Sequence, residues 1–249
     1  MSGEPRWIGG VPFKSNCGQT QSTKDVLMTR ADLTDITFVL DRSGSMQSIK
    51  SATIESFNRF VHSQRTGDGS AQMSLVQFDD HYEPNYQAVP IEKTPDLNEV
   101  TYEPRASTAL LDAMGRTIQL TGERLRDMPE NERPGTVVFV TLTDGYENAS
   151  REYTLQRVND MIREQRDKYS WQFIFLGANQ DAIATAAQMG MGAGQAMTFA
   201  ASPKGTYGAL HAFDKKMHLM RTSKSFGLAD AIVEFDEADR NAAAGELLI

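Results

Sequence analysis

Only one cysteine, Cys17, occurs among 249 residues, so no internal disulfide can form and a cysteine-based metal site is not expected. Histidine is nearly as scarce. His62, His81, His211 and His218 have no metal-ligand spacing, and none is visibly poised as a base. No stretch reaches the roughly 18 consecutive apolar residues of a membrane span. The opening residues, Met1 to Gly10, lack the charged-then-apolar order of a signal peptide. A basic surplus is missing too: 25 Lys and Arg face 33 Asp and Glu, a net charge of -8, which argues against nucleic acid as a main partner. These absences lead us to expect a cytoplasmic protein without a membrane or nucleic-acid partner. Its length is near the upper size for one domain.

What is present is an alternation of strands and helices. Residues 1–34 are polar, with Trp7, Ile8, Val11 and Phe13 as scattered apolar points, and read as an arm. Strands are expected at Ile36–Leu40, Met73–Phe78, Tyr86–Ile91, Thr136–Leu142, Trp171–Leu176 and Ala196–Ala200. The third belongs at a sheet edge, where Pro90 is tolerated. Apolar residues at helical spacing mark helices over Ile49–Gln64, Ala109–Leu125, Tyr153–Arg166, Ala182–Met189 and Gly208–Arg221. Ser107 or Thr108 stands where an N-cap belongs. The order predicts an α/β fold: a doubly wound, mostly parallel, Rossmann-like central sheet with helices on both faces. We divide the chain into the arm, a core over 35–204, and a C-terminal helix and tail over 205–249.

The chemistry gathers at strand ends. In Ile36-Thr37-Phe38-Val39-Leu40-Asp41-Arg42-Ser43-Gly44-Ser45-Met46, an apolar run stops on a carboxylate and two hydroxyls follow at alternate positions. The strand over Thr136–Leu142 leads likewise into Asp144-Gly145, where glycine allows a tight turn. Thr108 offers a hydroxyl at the start of a helix. Open α/β sheets bind ligands at the carboxyl ends of their strands. Two carboxylates and three hydroxyls there make a donor set for a hard cation such as Mg2+, which prefers oxygen ligands.

The set Asp41-x-Ser43-x-Ser45, Thr108 and Asp144-Gly145 resembles the metal-ion-dependent adhesion site of a von Willebrand factor A domain. The likeness covers about residues 35–200. The wording of Asp-Gly-Tyr-Glu-Asn-Ala-Ser and Phe-Leu-Gly-Ala-Asn-Gln-Asp resembles stand-alone bacterial and phage members. The resemblance implies that Ser43, Ser45 and Thr108 offer hydroxyls to Mg2+ (or Mn2+ or Ca2+), and that Asp41 and Asp144 supply charge directly or through water. It further implies a non-catalytic module whose protein partner gives an Asp or Glu to the metal. One departure concerns Ala106, where many relatives carry glycine; an alanine is strained there if the loop needs positive φ.

Other readings compete. An adaptor for a MoxR-type AAA+ ATPase, or a phage or bacterial assembly factor, rests on family analogy alone. A haloacid-dehalogenase-type phosphotransferase also uses an aspartate after the first strand with Mg2+, but its second carboxylate would fall at Ser43, and no lysine completes the pattern. A Ser43 or Ser45 nucleophile lacks a G-x-S-x-G elbow. Asp79-Asp80-His81 reads as a solvated turn, and Lys215, Lys216, Arg221 and Lys224 as a solvated basic face. Gly190–Gly194 lacks the lysine of a P-loop.

Overall fold

From Leu33 to Asp41 every residue is buried, as expected of a strand covered on both faces in a parallel sheet. The computed structural model describes residues 29–178, 181–226 and 232–245. Cys17 and the apolar points of the arm lie outside them. The strand, β1 (Arg30–Asp41), starts six residues before the apolar run. Arg30 pairs with Pro134 and Leu33 with Ser70, so polar residues share the ladder. Asp35, fully buried there, is neutralised by Arg124. A buried polar residue breaks the apolar pattern without breaking the strand.

Five further strands follow: β2 (Ser70–Phe78), β3 (Tyr82–Pro90), β4 (Pro134–Thr143), β5 (Gln172–Ala178) and β6 (Ala196–Phe199). They form one sheet in the order β3-β2-β1-β4-β5-β6. Only β3 runs antiparallel, returning from β2 as a hairpin along the edge. Pro84 and Pro90 sit in that strand, where missing N–H donors are tolerated.

The helices are α1 (Lys50–Gln64), α2 (Leu110–Asp127), α3 (Leu155–Tyr169), α4 (Ala182–Gln188), α5 (Pro203–Ser225) and α6 (Glu237–Ala243). Alternate residues of β1 divide the core. Ile36, Phe38 and Leu40 face α1, α5 and α6, whereas Val39 faces α2, α3 and α4. On the first side Phe38 meets Phe57 edge-on at 5.2 Å, and Phe60 stacks on Phe213 at 5.1 Å. Such pairs add about 0.5–1.5 kcal/mol to the burial of each ring. Phe38→Ala would open a void worth about 3–5 kcal/mol.

α5 is longer than its apolar stripe. Ser202 caps it by accepting from the Gly205 N–H at 3.1 Å, and Pro203 occupies the first turn. A β-carbon on Gly208 would lie 2.4 Å from the Ala242 carbonyl oxygen, so this glycine lets α6 approach. The solvated basic face is corrected at Arg221, which is buried. It donates to the Gln64 carbonyl and side chain, and to the carbonyls of Gly67 and Gly69. It thus terminates α1 with a charge that favours a helix carboxyl end. Among the described residues no helix is long and apolar enough to cross a membrane.

This topology positions the functional end. From β1 the chain moves to α1 on one face, and from β4 to α3 on the other. Between the neighbouring carboxyl ends of β1 and β4 the connections part, leaving a crevice where such sheets bind ligands.

Candidate metal centre

Asp41 is the last residue of β1, and Asp144 follows the last residue of β4. The Asp41 carboxylate is held on both oxygens. Oδ1 accepts the Ser43 N–H at 2.6 Å, and Oδ2 accepts the Thr143 hydroxyl at 2.6 Å. The Ser43 and Ser45 hydroxyls lie 3.1 Å apart, and Ser45 donates to Asp144 Oδ1 at 2.5 Å. A β-carbon built on Gly145 would lie 2.7 Å from the Thr108 hydroxyl oxygen and 3.5 Å from Asp41 Oδ2. The five residues singled out in the sequence therefore converge on one point. Asp41, Ser43 and Thr108 are buried, Asp144 is half-buried and Ser45 is exposed. The cluster thus opens to solvent on the Ser45 side.

Two expectations change in detail. Gly145 is not among the residues with positive φ; close approach to Thr108, rather than the turn, requires glycine there. Nor does Ser107 or Thr108 cap a helix. α2 begins at Leu110 without a side-chain cap of its own. Instead, the loop after β4 supplies acceptors: Glu147 takes the Leu111 N–H at 2.9 Å and Ser150 Oγ takes the Asp112 N–H at 3.0 Å. The Thr108 hydroxyl is not spent on the helix.

Ala106 does adopt positive φ, at 55°. A residue with a β-carbon is strained by about 1–2 kcal/mol in this region. Its carbonyl accepts from the Gly44 N–H at 3.1 Å, tying the Thr108 loop to the loop after β1.

The electrostatics distinguish Asp41 from the other buried acids. Asp35 is paired with Arg124, and Asp239 with Lys216. Asp79, read as part of a solvated turn, is fully buried and paired with Arg42 at 3.1 Å and Arg105 at 2.8 Å. Only Asp80 and His81 of that turn are exposed. One ligand atom of each of these three lies within 4.8 Å of the others, but two guanidinium groups and the His81 N–H already occupy Asp79. Among the described residues, neither Asp41 nor Asp144 has a basic ion-pair partner. Burial, reinforced by the negative charge of Asp144, pushes Asp41 up to about 6. Burial raises Asp144 as well. Uncompensated carboxylates beside three hydroxyls suit a hard divalent cation in both charge and donor chemistry.

Supporting residues were not evident from sequence. Tyr102, fully buried, donates its hydroxyl to the Asp41 carbonyl at 2.7 Å. Thr143 orients the Asp41 side chain; its place directly before Asp144 was the one available signal. Arg42 and Arg105 bind the loops after β1 and β3 to Asp79 at the end of β2.

The profile of the von Willebrand factor type A domain matches residues 35–211. No curated protein sequence matches the chain. Among solved structures, the pilus adhesin SpaC from Lactobacillus rhamnosus GG superposes with a TM-score of 0.55 at 14% identity, over 74% of this chain and 31% of that one. Proximal thread matrix protein 1 from the mussel byssus gives 0.52 at 14% identity, over 74% and 45%. A von Willebrand factor type A protein from Catenulispora acidiphila gives 0.50 at 14% identity, over 74% and 42%. This chain spans less than half the length of each of these, and the likeness is one of fold. On the profile match, the chain belongs to the von Willebrand factor type A domain family.

Proposed function

We propose that this chain is a non-catalytic, divalent-metal-dependent protein-binding module. Asp41, Ser43, Ser45, Thr108 and Asp144 would hold Mg2+, with Mn2+ or Ca2+ suiting the same oxygens, and an Asp or Glu of a partner protein would complete the coordination. The observation that carries this reading is the charge of Asp41, which has no basic partner among the described residues: the other buried acids described have one, and this one has hydroxyls and a second carboxylate. Bound there, the ion would supply positive charge and a coordination position for a carboxylate oxygen. The chain's own part is preorganisation. Thr143 and the Ser43 N–H fix the Asp41 carboxylate, while Tyr102 anchors the end of β1. Tyr146 and Arg105, both exposed on the loops carrying Asp144 and Thr108, stand where a partner would meet the rim.

The same geometry disfavours hydrolysis. The Ser43 hydroxyl faces Ser45 rather than a base. His62 contacts Asp96, His81 contacts Asp80, His211 stacks on Tyr207 and His218 meets Ser63; among the described residues none of these histidines hydrogen-bonds to Ser43 or Ser45.

The test is thermal unfolding in EDTA and with Mg2+, Mn2+ or Ca2+, for wild type and Asp144→Asn. A ligand at a hundred times its dissociation constant adds about 2.7 kcal/mol, a rise of roughly 5–11 °C at this chain length. A metal-dependent rise lost in the variant supports the site. No shift with any metal, together with no heat of binding by calorimetry, overturns it. Hydrolysis of p-nitrophenyl phosphate by the metal-loaded protein would overturn the non-catalytic part.

A further inference from the structure

Thr108 lies in a stretch between β3 and α2 that contains the strained Ala106. A residue in a sparsely populated region stays there only when its surroundings over-determine it. Upstream, the Arg105 N–H donates to the Arg42 carbonyl at 2.7 Å, and the Ala106 carbonyl accepts from Gly44. Downstream, the Ala109 N–H donates to the Asp79 carbonyl at 2.8 Å. Thr108 itself is held from a different loop. Its N–H donates to Asn148 Oδ1 at 2.9 Å, and its carbonyl accepts the N–H groups of Asn148 and Ala149 at 3.0 and 3.1 Å. Glu147 fixes that loop in turn, accepting from Leu111, Ala149 and Ser150.

We propose that Asn148 is the positioning residue for Thr108. It grips both peptide groups of the threonine and so sets where the hydroxyl points, against the tendency of Ala106 to relax. The β-branched side chain has few rotamers, so the backbone position largely decides the hydroxyl position. Because the clamp sits on the loop that carries Asp144, it also fixes Thr108 and Asp144 relative to one another. Asn148 is itself exposed, and replacing it leaves the core intact. The inference rests on the metal-binding reading above, but its backbone part stands apart from it.

The experiment uses the full chain as wild type, Asn148→Ala, Asn148→Asp, Ala106→Gly and the Ala106→Gly/Asn148→Ala double variant. Mn2+ affinity is measured by calorimetry, unfolding in EDTA by circular dichroism, and exchange of the Thr108 amide in EDTA by NMR. Partners that orient metal ligands are typically worth roughly 10–100-fold in affinity. Asn148→Ala should lose at least about tenfold on that scale, while its midpoint in EDTA falls by no more than about 4 °C. Asn148→Asp keeps the acceptor and should bind at least as tightly as wild type. Glycine at 106 removes the strain, so the double variant should recover part of the loss. Unchanged affinity in Asn148→Ala, or equal weakness in Asn148→Asp, overturns the proposal. If wild type binds no Mn2+, the metal reading fails and exchange decides the rest: faster exchange at Thr108 in Asn148→Ala supports the clamp, and unchanged exchange overturns it.

Discussion

Replacing Asp41 with asparagine should stabilise the metal-free protein while abolishing its response to metal. Burial moves the Asp41 carboxyl from 3.8 to about 6, which corresponds to about 3 kcal/mol at about 1.4 kcal/mol per pH unit. Because the folded value is raised, the folded state binds the proton more tightly than the unfolded chain. The penalty is therefore absent below about pH 4, grows between 3.8 and 6, and is complete above that. Asparagine carries no charge and can keep the local bonds. Its Oδ1 accepts from Ser43, and its Nδ2 can donate to Thr143, whose hydroxyl then turns to the Gly145 carbonyl at 3.2 Å. Calorimetric unfolding in EDTA at pH 7.5 should place Asp41→Asn above wild type by up to roughly 6–12 °C, at 2–4 °C per kcal/mol. At pH 4 the two should coincide. Saturating Mg2+ should close or reverse the gap at pH 7.5 by raising wild type alone. A variant no more stable than wild type in EDTA, with no pH dependence of the difference, would refute the claim that this charge lies uncompensated.

Gly145→Ala should push the Thr108 hydroxyl aside, because the new carbon would lie 2.7 Å from it; overpacking of about 1–3 kcal/mol and weaker Mn2+ binding by calorimetry are expected. Ala106→Gly should raise the unfolding midpoint, since relief of about 1–2 kcal/mol of backbone strain exceeds the roughly 0.4–1 kcal/mol of added chain entropy. Arg221→Met removes the donors to Gln64, Gly67 and Gly69. It should lower stability in urea titration by about 2–4 kcal/mol, and Arg221→Lys should not restore it, because one ammonium cannot span the same carbonyls.

Much of the architecture was legible because its signals are local. The apolar runs of β4 and β5 and the stripe of α2 carry their own periodicity. Asp41 and Asp144 were legible because each stands at the end of such a run, and Ser43 and Ser45 because they follow Asp41 at alternate positions. What escaped depends on pairs far apart in the chain. Asp79 looked solvated because the guanidinium groups that bury it come from residues 42 and 105. Arg221 looked like surface until the carbonyls of the α1–β2 turn met it. The cap of α2 was misassigned because its acceptors come from Glu147 and Ser150 rather than from the preceding residues. At α5, a Pro-Lys-Gly-Thr-Tyr-Gly opening hid a helical turn whose glycines answer to tertiary contact.

The two rims of the sheet have a consequence for crowding. An outer strand with unmet N–H and C=O groups invites a second molecule to add to it. Here β3 carries Pro84 and Pro90 and has Ala88 at positive φ, so its backbone offers an interrupted row. At the opposite rim β6 is four residues long, too short to template a strand from another chain. At high concentration the native protein should resist lateral polymerisation.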